Sequence, residues 1–149
     1  MLLLILTLLT VQSSMEEFRA IRAFRCDFPE GVGRISKGGG ISSPSTPEGL
    51  SGVFTHSIDY AARTALASDE KRTSAIAVAV TPGERSTSFL MVSVDGNPML
   101  QTIFALPLGA TTTDGRTKYL TALSRHVAAK GDARADQLYG TCEAVKVGG

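Results

Sequence analysis

The chain has 149 residues, with 15 Lys and Arg against 14 Asp and Glu, so its net charge is +1. That balance sets up no single-sign field to draw it onto nucleic acid or an anionic membrane. Two histidines and two cysteines, far apart along the chain, offer no metal site, and without tryptophan the core must come from Ala, Val, Leu, Ile and a few Phe and Tyr.

The first element is a leader. Leu2 to Val11 read LLLILTLLTV, an apolar stretch of signal-peptide length and too short to span a bilayer, with small-residue cleavage expected close to Ser13 or Ser14. Residues 1–14 are therefore expected to be removed and the product secreted. Residues 15–149, about 135 in number, make one domain. No later run is long and apolar enough for a membrane helix. A secretory route is oxidising, so the two thiols, Cys26 and Cys142, are expected to pair and tie one end of the domain to the other. Loop-closure entropy puts such a bridge at about 4.7 kcal/mol.

Phe18 to Phe28, which includes Cys26, reads as a first strand. Residues 30–52, rich in Gly, Ser and Pro around Gly38-Gly39-Gly40, read as a flexible loop. Gly31-Val32-Gly33 stands beside Arg34 and Lys37 but matches no phosphate-binding pattern. Phe54, Ile58, Ala61, Ala62, Ala65 and Leu66 then recur at helical spacing behind Ser51, which predicts a helix from Gly52 to Ala67. Ser68 to Thr73 is a charged turn. Beyond it the period changes to two. Strands are expected at Ser74–Thr81, Ser86–Val94, Met99–Leu108, Lys118–Leu123 and Leu138–Cys142. Pro82-Gly83 and Asp95-Gly96-Asn97-Pro98 supply turns, and Gly109–Thr117 a polar loop. Ser124 to Gln137 reads as loop or short helix. The sum is an α+β domain, one helix packed on a four- to five-stranded antiparallel sheet with an end-to-end disulfide.

Several of these residues resemble the ribonuclease-like effectors secreted by powdery mildew fungi, degenerate relatives of guanyl-specific fungal ribonucleases. The resemblance lies in the leader, Phe24-Arg25-Cys26, the Phe54…Ile58…Ala61…Ala65 spacing, Ile103-Phe104-Ala105-Leu106-Pro107-Leu108, and the closing Leu138-Tyr139-Gly140-Thr141-Cys142. It implies a microbial ribonuclease-like fold, delivery into a plant cell, and binding of host proteins, an immune receptor among them, to suppress defence.

RNA cleavage through a cyclic phosphate needs a base, an acid and cations on the phosphorane. On the ribonuclease pattern the glutamate falls on Ala105, which exchanges no proton. The last histidine falls near Lys130 to Asp132, where none stands, and the arginine near Lys118. His56 reads as a surface or capping residue; His126 becomes the acid only in a shifted alignment that still lacks its base. The expectation is a non-enzyme with no cofactor. Arg116, Lys118, Arg125 and Lys130 are candidate contacts to RNA or a partner, weighed against a solvated mixed-charge face with Asp114 and Asp132. The alternative is an active secreted guanyl-type ribonuclease.

Overall fold

The computed structural model describes residues 15–38, 40, 43–68, 74–108, 116–129 and 131–146. A short helix, α1, covers residues 15–20. Nine strands follow: β1 (Phe24–Ser36), β2 (Ser43–Ser45), β3 (Leu50–Asp59), β4 (Thr64–Ser68), β5 (Ala75–Pro82), β6 (Ser86–Val92), β7 (Pro98–Leu108), β8 (Lys118–Ala129) and β9 (Asp132–Ala144). From β3 onward each strand pairs antiparallel with the next, and β1 pairs with both β3 and β9. Eight strands thus close into an up-and-down barrel, with β2 added to the far half of β1.

Period-two alternation turns one side of each strand inward. Val78 and Val80 of β5, Thr87, Phe89 and Met91 of β6, Ile103 and Ala105 of β7, and Tyr119 and Leu123 of β8 are all buried. Sizes are matched across the ring. Ala65 and Ala67 on β4 stand four strands round from Tyr119 and Leu123 on β8, so small side chains face large ones and the interior fills. One end is plugged by α1, whose buried Phe18 lies 5.7 Å from the Phe24 ring and 5.1 Å from Tyr119 between centroids. Arg19 Nη2 donates to the Gly83 carbonyl at 3.3 Å and holds the helix over the β5–β6 turn.

The disulfide forms as expected. Cys26 and Cys142 are directly opposed on β1 and β9, with Cα atoms 4.0 Å apart and 116 residues between them in sequence. Because β1 and β9 are the first and last strands of the ring, the bridge fastens the barrel's seam.

Several expectations are overturned. The domain is a β-barrel, not an α+β helix-on-sheet fold, and the ribonuclease-like architecture behind the powdery mildew resemblance is absent. The helix expected from Gly52 to Ala67 is the β3–β4 hairpin. Asp59 Oδ1 accepts from the Ala61 and Ala62 amides, 2.9 Å each, and closes the turn, while Ser57 and Arg63 adopt positive φ around it. The first strand begins at Phe24, since residues 15–20 are helical. Residues 30–52 are not one loop: β1 runs on to Ser36, β2 lies within, and β3 starts at Leu50. Ser124 to Gln137 belongs to a long β8–β9 hairpin turning at Gly131, whose φ of 87° suits a residue without a Cβ. Strands β5, β6 and β7 fall where the alternation predicts them. The leader, residues 69–73 of the charged turn and residues 109–115 of the polar loop lie outside the described residues.

Candidate functional site

Among the described residues nothing closes the end of the barrel opposite α1. The inward rows of β3 to β8 end there in an apolar bowl of about 340 Å³, lined by Leu50, Val53, Ile76, Met91, Met99 and Leu123 among others. Met91 and Leu123 are buried in its floor, and Leu50, Val53, Ile76 and Met99 are half-buried around its rim. The two methionines give an adaptable wall, since an unbranched thioether refits to different shapes.

Below the bowl the interior is packed, and several of its polar groups hydrogen-bond to one another. Gln101 Nε2 donates to Cys26 Sγ at 3.0 Å and lies 3.5 Å from Cys142 Sγ, and Thr55 Oγ1 donates to Gln101 Oε1 at 3.5 Å. Thr121 Oγ1 donates to the Thr102 carbonyl at 2.9 Å. This layer holds the seam and forms the floor, so a ligand would sit in the mouth rather than run through the barrel.

Among the described residues lining the bowl, the charged one is Arg125. It continues the inward row of β8, two residues beyond Leu123, and faces Asp136 of β9 across the ladder. Arg125 donates to Asp136 Oδ2 from Nε at 3.1 Å and from Nη2 at 2.7 Å. Arg134, next along the inward row of β9, donates from Nε to Oδ1 at 2.8 Å. The Asp136 side chain is 0% exposed, against 18% for Arg125 and 30% for Arg134. Burial alone would raise the Asp136 pKa, but the hydrogen bonds and charges of Arg134 and Arg125 outweigh it and hold the carboxyl below its ordinary value. Gly33 makes room for this carboxylate: a Cβ there would collide with Asp136 Oδ1. Two guanidiniums on one carboxylate leave the cluster with a net charge of +1. Arg134 Nη2 and Ser45 Oγ are buried beside it without a hydrogen-bond partner.

The sequence-derived candidates do not gather into one surface. Arg116 and Lys118 stand at the plugged end of the barrel, where Arg116 Nη1 is 3.0 Å from Glu143 Oε1. Arg125 is seven residues further along β8, about 23 Å away at the usual rise, and its side chain turns inward. Lys130 lies outside the described residues. Ala105 is buried inside the barrel. His56 stacks on Phe54 at 5.0 Å on the outer face of β3, and His126 is exposed on β8 beyond the mouth. Among the described residues no three His, Cys, Asp or Glu are grouped to hold a metal. Sequence reasoning missed the mouth and Asp136. The available signal was the alternation Arg134-Ala135-Asp136, which puts both charges on one face once the segment is read as strand.

A larger and shallower groove, about 1020 Å³, runs outside the barrel beside α1, lined by Glu17, Arg22, Arg116 and Lys146 among others. Its guanidiniums are engaged within the chain: Arg22 donates to the Arg19 carbonyl at 2.6 Å, and Arg116 pairs with Glu143. The bowl, enclosed by strands and mostly apolar, is the better site. No protein family, curated protein or solved structure matches the chain.

Proposed function

We propose that this chain is a secreted, non-enzymatic binding protein whose barrel mouth takes up one small apolar molecule. The observation that carries the reading is the open apolar bowl set over a packed floor, with the other end of the barrel plugged. An eight-stranded barrel has interior width for its own side chains or for one small ligand, and about 340 Å³ lies within the usual range for such sites. Secretion is supported by the apolar leader and by a disulfide, which persists in oxidising compartments. The absence of turnover is supported by the chemistry of the rim. Asp136 is held ionised by two guanidiniums, and such a carboxyl is a poor proton donor near neutral pH. The ribonuclease resemblance implies a plant target and an immune receptor, and Arg116, Lys118, Arg125 and Lys130 make RNA a candidate; the barrel adds no support for any of these.

The test is a titration with the neutral apolar dye N-phenyl-1-naphthylamine, convenient because the chain has no tryptophan to interfere. Saturable one-to-one enhancement is expected. Val53→Phe, which fills the bowl, should abolish it while the far-UV circular dichroism and the urea midpoint stay those of the folded wild type. Equal binding by the filled variant, or none by the wild type, would overturn the reading.

A further inference from the structure

We infer that the ligand is a monoanionic amphiphile, an apolar chain of moderate length ending in a carboxylate that Arg125 and Arg134 receive at the lip of the mouth. The inference rests on the mouth being a binding site and adds the chemical class of what enters it. Apolar walls alone would select only for size. Among the described residues a single charged one, Arg125, joins those walls, and the cluster behind it carries one positive charge more than it neutralises.

The geometry shows where that excess lies. Arg125 places both Nε and Nη2 on one oxygen of Asp136, and Arg134 places Nε on the other. Both carboxylate oxygens are thereby occupied, while Arg134 Nη2 is buried with no acceptor. A buried donor without an acceptor is costly, and a guanidinium–carboxylate contact is among the stronger hydrogen-bonded pairs. One incoming carboxylate would balance two cations with two anions and, with the 30% exposed Arg134 side chain turned toward the lip, give Nη2 an acceptor.

Direction follows from the register. Met99 of β7 pairs with Arg125, the last pair of the β7–β8 ladder at this end, so Arg125 marks the rim; Arg134 opposes Val127, one inward step further out. An apolar body seated on Leu123, Met91 and Met99 would point its head outward, past Arg125 toward Arg134. Asp136 touches no ligand in this arrangement. It is a positioning residue, seated over Gly33, that fixes the two guanidiniums side by side.

The test compares three ten-carbon probes on the full secreted domain, each below its micelle concentration, by displacement of the neutral dye: decanoate, decanol and decylammonium. Decanoate should bind about tenfold or more tightly than decanol, and decylammonium more weakly than either. Arg134→Gln leaves the Arg125–Asp136 pair in place, so it should fold, and it should erase most of the decanoate preference while leaving decanol unchanged. Arg125→Lys keeps the charge but loses the fork and should weaken decanoate in part. Equal affinity for decanoate and decanol, or tighter decylammonium, would overturn the inference while the mouth remains a site. Failure of all three probes and of the dye to bind a folded wild type would overturn the site itself.

Discussion

At the scale of single residues, Asp136 carries more of the account than any other side chain. Its carboxylate is fully buried and holds Arg125 and Arg134 together. Asp136→Asn would leave two cations side by side without a counter-charge. It should cost about 3 kcal/mol in urea unfolding, the low end for a broken buried pair because both guanidiniums keep some contact with water. The pH dependence has a definite sign. The folded-state pKa lies below the ordinary 3.8, so the stabilisation is complete above that value and is lost as pH falls through the lower folded one. The stability gap between wild type and Asp136→Asn, measured by urea midpoints, should therefore be flat above about pH 5 and narrow on acidification. Residue-level features differ in how readily they are read from sequence. The Cys26–Cys142 pairing is legible because no third thiol competes. The partners of Asp136 are not, because they depend on a hairpin register that joins it to Arg125 and on a glycine in a third strand.

At the scale of elements, the β3–β4 hairpin is the instructive case. Phe54, Ile58, Ala61 and Ala65 fit a helical period, and the alanines favour a helix. Val53, Thr55 and Ile58 are β-branched and favour strand, and the buried Ala65 and Ala67 flank an exposed Leu66 in strict alternation. Asp59 favours the hairpin locally by accepting two backbone amides. Asp59→Ala should lower stability by about 1–2 kcal/mol, read as a fall in thermal midpoint without loss of the strand signal in far-UV circular dichroism. Gain of helical signal by the wild-type segment 50–68 on isolation would not contradict this, since the ladder to β1 and β5 supplies the strand's partners. Strands β5 to β7 are legible because alternation and turn chemistry agree, as at Asp95-Gly96-Asn97-Pro98. Residues 30–36 are not, because Gly31 and Gly33 look like loop residues. Their missing side chains instead admit Leu138 and Asp136 from the neighbouring strand.

At the scale of the whole molecule, closure decides stability and shapes the proposed site. It depends on pairing β1 with β9 across more than a hundred residues, which no local pattern announces. The disulfide lies in that seam, so Cys26→Ser or Cys142→Ser should cost roughly 2–5 kcal/mol, measured by chemical unfolding against the oxidised wild type. Closure also creates two unlike ends, one plugged by Phe18 and one left as an apolar bowl, and the bowl is the proposed place of ligand binding. The chain's methionines report on both ends: Met91 and Met99 line the bowl, and Met15 belongs to α1 at the plugged end. With methionine methyl groups carbon-13 labelled, a decanoate titration followed by NMR reads the site directly. Saturable shifts of the Met91 and Met99 methyls, with Met15 unmoved, are expected. Shifts centred on Met15, or no saturable shift at Met91 and Met99, would contradict the account.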